Sequence, residues 1–294
     1  MATPLHADYN PAGYSIEELD RQYNARASVP DSAAIIARYA QLSQQARADL
    51  HAECTVPYGP HLDETLDIYP AGTPDSPVFV FIHGGYWRAL SKDDSAFMAP
   101  AFVQAGATVV VVNYALAPGV SLGQITDQCR RAIAWVYRHI RDYGADPMRL
   151  HISGHSAGGH LVGMALADDW HELHALPANP VQSASAISGL FDLRPLMHTH
   201  INEWLTLDHD SARRESPLFH VPKVKCPLLV SWGELETPEF QRQSRLYAQA
   251  WRAADGSVQE MSLAGTHHFT APLQLARADS PLTHAILRMM GLQG

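Results

Sequence analysis

Four short stretches carry residue types suited to nucleophilic acyl chemistry. GHSAGGH centres on Ser156, with Gly154 and Gly158 completing a G-x-S-x-G arrangement. A serine at the tip of a tight strand-to-helix turn presents its hydroxyl, and glycines flank it because the two backbone segments run too close for a Cβ. HGGYW, His83 to Trp87, contains a Gly-Gly step whose amides can turn toward one point. The N–H groups of Gly85, Tyr86 and Ala157 would then receive the charged oxygen of a tetrahedral intermediate. Further along, GELETPEF offers Glu234, Glu236 and Glu239, and GTHHFT offers His267 and His268. A carboxylate holds an imidazole in the tautomer that accepts a serine proton, and Ser, acid, His is the chain order that accompanies such an elbow. The residues alone leave the choice among three glutamates and two histidines open. Trp87 reads either as a wall of an aromatic-friendly pocket or as buried core.

All four stretches need strand ends to position them. PVFVFIHGG runs as an apolar strand, Val78 to Ile82, into HGGYW; ATVVVVNY is a second, Thr108 to Val112; RLHISG leads into the serine turn. SASAISG, PLLVSWG and VQEMSLAG are further strands, and ETLDIYP, Glu64 to Pro70, alternates like one. Between them lie a helical stretch from about Asp93 to Gln104 and another from Ser121 to Tyr143, with Ile125, Cys129, Ile133 and Val136 on one face and a stop at Gly144. Strands alternating with helices, several of them continuous apolar runs, predict a mostly parallel sheet covered on both faces, with functional groups at its carboxyl edge.

Ahead of the first strand, Tyr14 to Leu50 reads as amphipathic helix. Ser15 and Glu18 form a capping-box pattern, a break falls at Pro30-Asp31, and Asp31 or Ser32 starts a second helix through Ile35, Ile36, Tyr39 and Leu42. This segment, about 12–52, is expected to cover the domain and its active site or to form an oligomer contact. Without an internal repeat or low-complexity linker, 1–294 is expected to be one domain.

Bulk composition narrows the partners. The chain has 294 residues, 46% hydrophobic and 17% charged, with a formal net charge of −9. No basic block offsets that charge, which argues against nucleic acid or an anionic membrane. Cys54, Cys129 and Cys226 are far apart and odd in number, which predicts reduced thiols and a cytoplasmic setting. MATPLHADYNPAGYSIEELD has neither the basic nor the apolar region of a signal peptide. Seventeen histidines raise the question of a metal, but HELH, His171 to His174, misses the i, i+4 spacing of a zinc helix, and His198 and His200 have no recognisable partner. No metal and no cofactor are expected.

HGGYW, the GHSAGG elbow, GELETPEFQRQS and the final HHF together resemble the α/β-hydrolase kynurenine formamidases (arylformamidases) and their bacterial esterase relatives. The likeness runs from around Tyr23 to the histidine near the end, and YALAPGVSLGQITDQ, Tyr114 to Gln128, resembles the family's tyrosine-to-proline segment. The resemblance implies the α/β-hydrolase fold. It also implies that the acid is Glu236, two residues before the proline, and that the base is His268, directly before a phenylalanine. Two positions depart from the pattern: the acid is Glu, and Thr270 stands where animal members carry an acidic residue. The first preserves the mechanism; the second bears on the substrate. The implied activity is a cofactor-free serine hydrolase removing a formyl or short acyl group from an aryl amide or ester, N-formylkynurenine being the type, through an acyl-enzyme. The alternatives are a general short-chain carboxylesterase and a hydrolase-fold binding module without catalysis. The partner is a small molecule, and the resemblance allows a homodimer.

Overall fold

The structure is a computed structural model that describes residues 8–167, 170–223 and 225–293. The reading of the N-terminus as leaderless therefore falls partly on residues 1–7, outside the described residues, as do the outer limits of the expected domain. Eight strands form one sheet: β1 Glu53–Pro57, β2 Thr65–Tyr69, β3 Ser76–Ile82, β4 Thr108–Val112, β5 Ala145–His155, β6 Ser183–Ile187, β7 Leu228–Gly233 and β8 Val258–Leu263. Their order is β1-β2-β4-β3-β5-β6-β7-β8; β2 is antiparallel to β1 and β4, and the other pairings are parallel.

Period-two geometry explains why the central strands read as unbroken apolar runs. Val78, Val80 and Ile82 of β3 and Val110 and Val112 of β4 enter the core on one face. Phe79, Phe81, Val109 and Val111 enter a second core on the other. With helices on both faces both sides of these strands are buried, so apolar residues predominate along them, and each fully buried Val or Phe contributes about 1.5–3 kcal/mol. The helix Leu122–His139 buries Ile125, Cys129, Ile133 and Val136, is capped by Ser121 and Gln124, and ends through a short 3₁₀ turn at Gly144.

Two local expectations change, and one strand lies where none was read. Asp93 to Gln104 is not one helix: a turn at Lys92–Asp94 and the helix Ala99–Gln104 are separated, because Ser43 Oγ takes the Ala96 amide at 2.9 Å and diverts the ladder. β1 has no apolar signature because it is an exposed, bulged edge strand. The capping box at Ser15 is half made: Ser15 accepts the Glu18 amide, but the Glu18 carboxylate turns to Arg21 and Gln22.

The N-terminal segment forms three helices, α1 Ile16–Tyr23, α2 Ala25–Ser28 and α3 Ser32–Asp49. Leu19, Tyr23, Ala25 and Val29 join one core, Tyr39 and Ala46 the other, so the segment packs on both.

Candidate active site

Parallel register brings the sequence-predicted stretches to one edge. Ile82 pairs with Gly154, His155 with Ile187, and Gly233 with Leu263, so the loops after β3, β5, β6, β7 and β8 emerge side by side. At the end of β5 the chain reverses into the helix Ala157–Leu166, and Ser156 takes φ +57° and ψ −117°. That conformation costs a non-glycine residue about 1–3 kcal/mol and holds its side chain away from both elements. The turn is anchored by Ser156 N–H donating to Ile187 O at 2.8 Å. A Cβ on Gly158 would lie 2.0 Å from Ile82 O, so the elbow helix can approach β3 only with glycine there.

Ser156 Oγ lies 3.0 Å from His268 Nε2. On the far side of the ring, His268 Nδ1 faces Glu236 Oε2 at 3.7 Å, longer than a hydrogen bond, and neither atom has another partner. The other carboxylate oxygen, Oε1, accepts the Gly233 amide at 3.0 Å and the hydroxyl of Ser188. The imidazole is packed against Phe240 and His155, with ring centroids 4.4 and 4.7 Å away. Burial first, and the His268 ring second, hold the His155 pKa well below the ordinary range, so His155 stays neutral beside His268.

The unused alternatives have other partners. Glu234 accepts the Gly265 amide, and Glu239 binds Arg242 and the Tyr23 hydroxyl. His267 Nδ1 accepts the Phe269 amide, and Thr270 Oγ1 accepts the His267 amide at 3.0 Å, closing the turn that carries His268. Ser188, the residue that braces Glu236, escaped the sequence reading because a serine after a strand carries no distinguishing pattern.

The HGGYW loop is held in left-handed backbone conformations, with φ +104° at Gly85, +51° at Tyr86 and +56° at Trp87. A Cβ on Gly85 would meet Ala89 O at 2.0 Å, which explains the glycine. Among the described residues the amides of Gly85, Tyr86 and Ala157 donate to no protein acceptor. Ala157 also opens the elbow helix, where the helix dipole adds partial positive charge.

Side chains pin this loop from three directions. Tyr86 Oη donates to Tyr23 O at 2.5 Å, Trp204 Nε1 donates to Tyr86 O at 3.0 Å, and Trp87 Nε1 donates to His160 Nδ1 at 3.2 Å. Trp87 is fully buried against His160 and does not line the cavity, so it is core and not pocket wall. An indole only donates, so His160 Nδ1 carries a lone pair and Nε2–H donates to Glu215 O at 2.7 Å. The ring is therefore neutral, and burial pushes its pKa down to about 4. His160 is the last residue of the GHSAGGH run, and the sequence showed only its serine and glycines.

Ser156 and His268 open into a cavity of about 480 Å³ walled by Tyr39, Tyr86, Trp204 and Phe269, with Gly85 on its rim. Of the two histidines in HTH, His200 pairs with Asp20 at 2.6 Å and His198 contacts Tyr9 Oη. Among the described residues no three His, Cys, Asp or Glu side chains gather as metal ligands, all three cysteines are free, and no helix is long and apolar enough to cross a membrane.

Comparison with known proteins adds to this geometry. Residues 66–250 match the BD-FAE family model. The kynurenine formamidase of Danio rerio is 34% identical over 94% of this chain and 97% of its own length. Esterase LipQ of Mycobacterium tuberculosis is 30% identical over 72% of this chain and 56% of its own. A solved structure from Silicibacter sp. TM1040, assigned as a thioesterase, superposes with a TM-score of 0.79 at 30% identity, covering 92% of this chain and 98% of that one.

Proposed function

We propose, from the premise that this chain belongs to the kynurenine formamidase-like family of α/β hydrolases and is an acyl-cleaving hydrolase, that Ser156, His268 and Glu236 form its catalytic triad. The observation that carries this reading is the 3.0 Å contact between Ser156 Oγ and His268 Nε2 at the cavity floor, beside amides with no internal acceptor. Ser156 Oγ attacks the acyl carbon as His268 Nε2 takes its proton. The carbonyl oxygen becomes anionic and accepts the amides of Gly85, Tyr86 and Ala157, where preorganised donors act without reorganisation. Glu236, braced by Ser188 and the Gly233 amide, orients the imidazole and stabilises its cation. His268 then protonates the departing amine or alcohol, and a water deprotonated by the same nitrogen releases the acid and restores the serine.

The substrate we infer is an aryl formamide of the N-formylkynurenine kind, because four aromatic side chains wall the cavity into which Ser156 opens. The reduced, unpaired cysteines suit a cytoplasmic enzyme acting on small molecules. The test compares kcat/KM on N-formylkynurenine with that on short p-nitrophenyl esters. Preference for the formamide is expected, and a strong preference for the esters would replace formamidase by carboxylesterase. Labelling by a fluorophosphonate at Ser156 is expected; an unreactive protein would be a binding module instead.

A further inference from the structure

The charge of the cavity runs against that of the protein. The chain has 30 acidic residues against 21 Lys and Arg. Yet the cavity lining contains two arginines, Arg26 and Arg88, and neither an Asp nor a Glu. Most arginines elsewhere have a carboxylate or carbonyl partner, as Arg131 has Glu64 and Arg194 has Asp192. Arg26 and Arg88 have none among the described residues. The Arg88 guanidinium lies over the Trp204 ring, 4.6 Å from its centroid, and Trp204 is itself tied to Tyr86 O. A guanidinium over an aromatic ring keeps its five N–H donors available to a planar anion. Asp20, the carboxylate bonded to the lining His200, is already engaged by that ring at 2.6 Å. A cleft of one sign concentrates ligands of the other, the more so in a protein whose remaining surface repels them.

We propose that Arg88, assisted by Arg26, is a carboxylate-binding subsite, so that the enzyme selects acyl-aryl substrates whose leaving group bears an anion. The aryl ring and the carboxylate are recognised on one wall: a ring seated beside Trp204 and Tyr86 presents a short acidic side arm to the guanidinium that lies over Trp204. This rests on the hydrolase reading above and adds to it the residues that read the leaving group's charge.

A matched pair of esters tests it: 3-(carboxymethyl)phenyl acetate and its neutral isostere 3-(carbamoylmethyl)phenyl acetate. The methylene insulates the phenol, so intrinsic reactivity is matched. The wild-type ratio of kcat/KM, anionic over neutral, is expected at roughly tenfold or more, the range for a charge-assisted contact. The ratio should collapse toward one in Arg88→Gln through the KM of the anionic ester, fall less in Arg26→Gln, recover in part in Arg88→Lys, and hold in Arg288→Gln, which changes net charge away from the cavity. With the wild-type enzyme alone, added NaCl should lower the ratio by screening, whatever the variants do. A wild-type ratio near one, or variants that slow both esters by the same factor, would overturn the subsite while leaving the hydrolase intact. Failure to hydrolyse either ester, with Ser156 unreactive to fluorophosphonate, would sink the hydrolase reading and the subsite with it.

Discussion

The loops at the carboxyl edge of the sheet and the helices α1 to α3 that lie over them are held by different physics. The elbow and the HGGYW loop are fixed by close backbone approach: Gly158 against Ile82 O, Gly85 against Ala89 O, and positive φ at Ser156, Tyr86 and Trp87. Nothing there can shift by a methyl group without a clash. The N-terminal helices pack apolar side chains into both cores and are tied to the edge by a few directional bonds. Tyr39 Oη donates to Phe269 O next to the base, Tyr23 Oη donates to Glu239 at 2.7 Å while its carbonyl receives Tyr86 Oη, and Thr237 Oγ1 donates to Gln22 O. The rigid region carries Ser156 and His268, and the fastened region lines the same cavity with Tyr39 and Arg26. Chemistry demands sub-ångström placement, which sterics deliver; substrate choice needs only a surface of the right shape and sign.

That contrast is open to attack, beginning where the largest effect is expected. Ser156→Ala should lower kcat by roughly 10⁴-fold or more with the fold intact by circular dichroism. Activity near the wild-type level would dismiss the edge as the reaction centre. Glu236→Gln keeps the shape but removes the charge facing His268; a drop approaching about 10⁴ in kcat with little change in KM is expected from steady-state assays. If the 3.7 Å gap persists in the working enzyme, the loss will be only a few-fold.

Gly158→Ala should cost about 2–3 kcal/mol of unfolding free energy, as overpacked contacts do, and denaturant titration reads it directly. A neutral result would mean that the elbow is not sterically locked. The pH dependence of stability probes the same region. His83 and His160 have folded pKa values of about 4 against an ordinary 6.5. Between those values the unfolded chain binds protons that the folded one refuses, so stability falls as pH drops through that window and is fully present above it. His160→Gln should flatten the slope of Tm against pH between 6.5 and 4. An unchanged slope would mean that the Trp87–His160 bond does not control it.

The smallest effect is expected in the cover. Tyr39→Phe should lower stability by about 1 kcal/mol and move KM more than kcat. A kcat loss beyond tenfold would show that α3 positions His268 and is not merely a wall.

Legibility in the sequence followed the same division. β3, β4 and the elbow were readable because burial on two faces and backbone crowding restrict residue type at every position. The edge strand β1 and the broken 93–104 helix were not, since exposed positions and a long-range Ser43 bond leave no local pattern. Ser188, His160 and Trp204 are ordinary residues locally and acquire roles through partners 48, 73 and 118 positions away.

By itself the sequence determined the order of the serine, glutamate and histidine stretches, the elbow glycines and the parallel sheet, because each is enforced by neighbouring residues or by short-range sterics. Only the tertiary structure decided which buried ring Trp87 binds, what braces Glu236, and that two unpaired arginines face an aromatic cavity in an acidic protein. Those facts depend on distances between segments remote in the chain, and no local pattern encodes them.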